Sequence, residues 1–184
     1  MSPRSAHLRR LVLASLLAAL TAVCSLLAIP NPFVPAVPFT LQVFAVCLTA
    51  AVLPPRWAFA AQVVYLVLGA IGVPVFAGGA AGPAVLVSVT GGFLWAYPFA
   101  AAAGAAVAGR LGGFWRLCVA AMVSIAIIYG FGYAGMLVFG HVPAGPASLL
   151  GLLTFLPWDL AKGALAAAVA LRVRRALNAQ EAWA

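Results

Sequence analysis

Two charged side chains stand where a membrane-length apolar run should have none. In the stretch 155–171, FLPWDLAKGALAAAVAL, Asp159 and Lys162 interrupt residues that are otherwise apolar or small. A charge near the middle of a spanning helix costs roughly 2.5–3.5 kcal/mol, so such residues mark a pathway, a cavity or a paired contact. A spacing of three sets both groups on one helix face, where a carboxylate accepts and an ammonium donates hydrogen bonds. The pair therefore suits a small ligand that carries both donors and an acceptor. The same spacing also suits a structural ion pair that neutralises itself against a neighbouring helix. Pro157 removes a backbone donor and disfavours helix at Leu156, which predicts a kink or break there.

Other chemistries lack their parts. Lys162 is the only lysine and follows no phosphate-cradling glycine loop, and the sequence contains no HExxH. The only other acid is Glu181 in the tail, so Asp159 has no second carboxylate for general acid–base work. His7 and His141 are isolated, and Cys24, Cys47 and Cys118 lie in apolar runs without CxxC spacing. These cysteines read as packing residues and form neither a disulfide framework nor a metal site. The sequence is not read as an enzyme, and no cofactor is expected.

The elements that must carry Asp159 and Lys162 follow from composition. Of the 184 residues 66% are hydrophobic and 7% charged, and the mean hydropathy is +1.17. An ordinary globular chain is about one quarter charged, so this is a polytopic, all-α integral membrane protein. It is expected to be one membrane domain over residues 1–184, with spans at 11–29, 39–53, 57–72, 91–108, 117–139 and 149–171. The first run follows Arg4, Arg9 and Arg10 as a signal peptide would, but it is long and bulky Val23 precedes Cys24. It reads as a retained helix. The second and third runs are short and are separated by Pro54, Pro55 and Arg56. They read as two short or tilted spans, because a re-entrant hairpin would bury Arg56.

Net charge is +8, yet the arginines are dispersed at the ends of apolar runs rather than clustered as a nucleic-acid surface. With six spans and both termini in the cytoplasm, every arginine falls on one side, as the positive-inside rule requires. The three opposite links carry neither lysine nor arginine. The first of them, 30–38, holds four prolines and reads as a stiff extended loop. The second, 73–90, is rich in glycine and apolar, which suits a lid or pocket wall. A ligand is expected to arrive from that side.

Several motifs in order, VPFTLQ at 37–42, GAIGVPVFAGG at 69–79, TGGF at 90–93 with Tyr97-Pro98, and LPWDLAK at 156–162, resemble the BioY family. That family is the biotin-specific substrate-binding subunit (S component) of energy-coupling-factor (ECF) transporters. The resemblance runs through nearly the whole chain and implies a six-helix bundle in the bacterial cytoplasmic membrane that captures biotin from outside. It further implies a transmembrane coupling protein and two ABC-type ATPases as partners. By the same resemblance Asp159 and Lys162 contact biotin, as do Thr40 and Gln42, while Phe76, Gly78 and Gly79 belong to the loop over the pocket. Ala14 and Ala18 match a small-residue motif for docking to the coupling protein; with Ala22 they recur every four residues and form a smooth helix face.

The chemistry of biotin fits these residues. Asp159 can accept from one of the two N–H donors of its ureido group, and Lys162 can donate to the ureido carbonyl or to the carboxylate. Phe39, Phe76, Trp95, Tyr97 and Trp158 are aromatics available to wall its ring. The outer links hold no arginine for its carboxylate. The alternative is a self-sufficient carrier, or an S component for another vitamin-like solute, with Asp159 as a proton or cation site.

Overall fold

The computed structural model describes residues 3–31, 37–109 and 113–182. Pro32–Ala36, the centre of the proline-rich link, and Arg110 lie outside the described residues. The helices are α1 (Pro3–Leu26), α2 (Gln42–Val52), α3 (Pro55–Ala70), α4 (Gly91–Ala108), α5 (Phe114–Val138), α6 (Pro146–Leu153) and α7 (Leu156–Ala182). Two short 3-10 turns, Ala77–Gly79 and Pro83–Val87, lie in the α3–α4 link. Among the described residues four helical stretches are long and apolar enough to cross a membrane: α1, α4, α5 and α6 continued into α7.

Proline sets two of the boundaries. Leu53, which precedes Pro54, is extended (ψ 152°) and ends α2. Pro55 then occupies the first turn of α3, where its missing N–H costs nothing. The last apolar run is broken just before Pro157, by a turn at Thr154 and Phe155 that separates α6 from α7. Pro157 thereby sits in the first turn of α7, the one part of a helix that tolerates it.

Packing relies on small residues, as expected where lipid gives helices no hydrophobic reason to associate. Gly92 of α4 and Gly135 of α5 face each other so closely that a Cβ on either would enter the other's backbone. Buried hydroxyls and amides add polar ties. Gln62 of α3 donates at 3.2 Å to both Thr21 of α1 and Thr49 of α2. All three residues are fully buried.

Basic residues gather at one end of the bundle. Arg174, near the end of α7, donates to the Ala51 carbonyl at the end of α2 (2.5 Å). Arg116, at the start of α5, donates to the Val107 carbonyl at the end of α4 (2.7 Å). Both cations thus meet helix C-termini, where the partial charge is negative. His7 packs edge-on against Trp57, joining the starts of α1 and α3 at that end. At the opposite end, Ile29 and Phe39 exchange two 2.8 Å backbone hydrogen bonds and close the α1–α2 link.

Candidate ligand-binding site

Asp159 lies in the first turn of α7, where the exposed N–H groups and the helix dipole favour a carboxylate. Lys162 Nζ donates to its Oδ1 at 2.8 Å. The phenol of Tyr129, across on α5, donates to its Oδ2 at 2.9 Å. Asp159 is 4% exposed, and its charge is answered inside the bundle by Lys162. A carboxylate has about four lone-pair sites, and two hydrogen bonds leave it able to accept more.

These groups face a cavity of about 220 Å³ at the end away from the arginines. Its walls come from the α1–α2 and α3–α4 links and from five helices, α2, α4, α5, α6 and α7. Val37 and Pro38 border it from the first link, and Ala77, Ala80 and Val85 from the second. Phe93, Leu94 and Tyr97 of α4, Ile128 of α5 and Leu152 of α6 make an apolar lining, with Phe155 at the break. Thr40, Gln42 and Thr90 add neutral polar groups.

Gln42 is held by its neighbours. Thr40 Oγ1 donates to its Oε1 at 2.9 Å, and its Nε2 donates to the Tyr65 hydroxyl at 2.6 Å. One amide N–H of Gln42 remains to offer a ligand. Tyr65 is itself fixed, packed against Tyr97 (ring centroids 6.4 Å) and edge-on to Phe76 (5.8 Å).

The structure thus brings Asp159, Lys162, Thr40, Gln42 and Tyr97 to one cavity, and places the other named residues elsewhere. Phe76 is fully buried and is absent from the lining. It fills the space left by the missing side chain of Gly69, where a Cβ would enter its ring. It packs edge-on against Tyr65, whose hydroxyl accepts from Gln42. Gly78 and Gly79, at φ 68° and 83°, also stand off the lining; they supply a left-handed turn, and it is the flanking Ala77 and Ala80 that border the cavity.

Among the aromatics, Trp95 (43% exposed) and Trp158 (64%) face outward, and the Trp95 indole donates to the Leu86 carbonyl (3.0 Å). Phe39 packs at a tilt against the lining residue Phe155 (ring centroids 4.6 Å) without lining the cavity itself. Ala14 and Ala18 are 8% and 2% exposed and belong to the chain's own core, on the face of α1 that meets α2 and α3. They do not form an open docking face. The exposed face of α1 carries Leu8, Leu11, Leu16 and Val23 instead.

Sequence reasoning missed Tyr129, Phe93 and Phe155. The available signal for Tyr129 was a phenol within an apolar run, whose hydroxyl needs a partner once buried.

A buried carboxylate held by an ammonium and a phenol, facing a mostly apolar cavity inside a bundle of membrane-length helices, defines a membrane protein that binds a small polar-headed molecule. The profile of the BioY family matches residues 1–179; the chain belongs to that family. It is 35% identical to the biotin transporter BioY of Thermotoga maritima over 169 residues, covering 91% of this chain and 97% of that one. It is 33% identical to the biotin transporter BioY of Rhizobium etli over 169 residues, covering 86% and 89%. Its fold matches the crystal structure of the S-component for biotin from an ECF-type ABC transporter with TM-score 0.86 over 95% of each chain, at 22% identity.

Proposed function

We propose that this chain captures biotin for uptake across the bacterial cytoplasmic membrane, as the substrate-binding subunit of an ECF-type transporter. The observation that carries the reading is the Asp159–Lys162–Tyr129 cluster on the cavity wall, in a family whose Thermotoga maritima and Rhizobium etli members are named biotin transporters. The ureido ring supplies N–H donors for Asp159 and a carbonyl for Lys162, so one ligand group satisfies both charges without separating them. Phe93, Phe155 and Ile128 take the apolar ring system. Thr40, Gln42 and Tyr97 complete the polar contacts.

In this reading the arginine-bearing end faces the cytoplasm, and biotin arrives from the opposite side through the links at 37–41 and 71–90. The energy of uptake comes from a transmembrane coupling protein and two ABC-type ATPases, since the chain has no nucleotide loop of its own. Docking to the coupling protein uses α1, with Ala14 and Ala18 acting through the seat of α1 on α2 and α3 rather than by touching the partner. Calorimetric titration of the detergent-purified chain with biotin tests the reading. One-site saturable binding at micromolar ligand or below is expected; an absence of saturable binding contradicts it.

A further inference from the structure

The cavity's charge ends with its one ion pair. Among the described residues Lys162 is the only lysine or arginine on the lining. The sequence supplies no other candidate: from residue 11 to 55, 57 to 109 and 117 to 171 it is the only lysine or arginine. Arg56, Arg116 and Arg174 sit at the other end of the bundle. His141 is exposed in the α5–α6 link and off the lining. With Lys162 bound to Asp159 at 2.8 Å, the cavity is electrically neutral.

Biotin brings two polar ends to that single cation. A ureido group beside the pair gives an N–H to Asp159 and a carbonyl to Lys162, and the two protein charges stay matched. A carboxylate in the same place would set two carboxylates around one ammonium, and like charges that close oppose each other's ionisation. The ring therefore takes the pair, and the tail is left with neutral groups such as the Gln42 amide and the Thr90 hydroxyl. Neutral donors bond an amide carbonyl too, and the stronger bonds a carboxylate would make to them are offset by the cost of desolvating an anion.

Resting on the biotin reading above, we infer that this cavity selects for the ureido ring and not for the charge of the tail. Its substrate class then includes biotin amides alongside the free acid. Titration of the full chain in detergent with biotin and with biotinamide tests this. The two dissociation constants are expected to agree within about threefold, a difference of well under the 1.4 kcal/mol that a factor of ten represents. A cation clamped on the carboxylate would weaken biotinamide by about tenfold to a hundredfold, because charge-assisted hydrogen bonds are the strong ones; that result overturns the inference and leaves the biotin reading standing. Lys162→Met is expected to weaken both ligands by the same factor, whereas a loss confined to biotin would place Lys162 on the tail and overturn it as well. Failure of the parent chain to bind either ligand defeats the biotin reading and this inference with it.

Discussion

The Tyr129 hydroxyl reaches across from α5 to hold Oδ2 of Asp159 on α7 at 2.9 Å. Lys162 holds the other oxygen. The contact joins two helices far apart in sequence and fixes the carboxylate that the cavity presents. An aspartate with one oxygen anchored by a phenol points its remaining lone pairs in a defined direction, so the phenol is a positioning group for any ligand that donates to Asp159.

Tyr129→Phe removes that donor while keeping the ring. Biotin affinity is expected to fall by about fivefold to tenfold, corresponding to a net hydrogen bond of roughly 1 kcal/mol. Calorimetry on the two proteins measures it. An unchanged dissociation constant would show that the phenol does not position the carboxylate.

Gly69→Ala sets a methyl group into the ring of Phe76. Overpacking of this kind costs about 1–3 kcal/mol, and because Phe76 supports Tyr65 and hence Gln42, ligand affinity should drop as well. Thermal unfolding in detergent and biotin titration report the two effects. A variant as stable as the parent would contradict the plug role of Phe76.

Parts of this arrangement were legible from residue types alone. Asp159 and Lys162 announced themselves because charge inside an apolar run has few explanations, and Pro157 announced the break that places Asp159 in a first helical turn. Tyr129 did not, because a single hydroxyl barely alters hydropathy and its partner is fixed only by how α5 and α7 pack. The loop motif around Phe76 was read as pocket, whereas the seven-residue relation between Gly69 and Phe76 is a matter of three-dimensional fit. The alanine spacing on α1 carries no information about which helix covers that face, and Ala14 and Ala18 are buried within the chain itself.

Ala18→Trp should therefore act on the fold. A bulky ring at a 2% exposed position forces α1 off α2 and α3, and loss of stability and of biotin binding together is expected. Leu16→Trp, at a 60% exposed position on the same helix, should leave both intact. Unfolding curves and biotin titrations of the two variants decide it: a stable Ala18→Trp protein that binds biotin yet fails to assemble with the coupling protein would restore the direct docking role.

Topology is open to labelling. Arg56→Cys lies at the arginine end and Val87→Cys in the link on the cavity side, at a 60% exposed position. In intact cells a membrane-impermeant maleimide should modify the second and not the first, as expected from the positive-inside rule. Modification of both from outside would contradict the six-span arrangement.

The central claim is that the Asp159–Lys162 pair binds ligand and is not merely a structural tie. Single changes cannot decide this, because each strands a buried charge and costs stability on its own. The double variant Asp159→Asn with Lys162→Met removes both charges and should fold with near-parental stability. Its affinity for biotin, measured by calorimetry beside its thermal unfolding, is the decisive quantity. A well-folded double variant whose affinity has fallen by about tenfold or more is expected from the loss of charge-assisted hydrogen bonds. A well-folded double variant that binds biotin as the parent does would contradict the account.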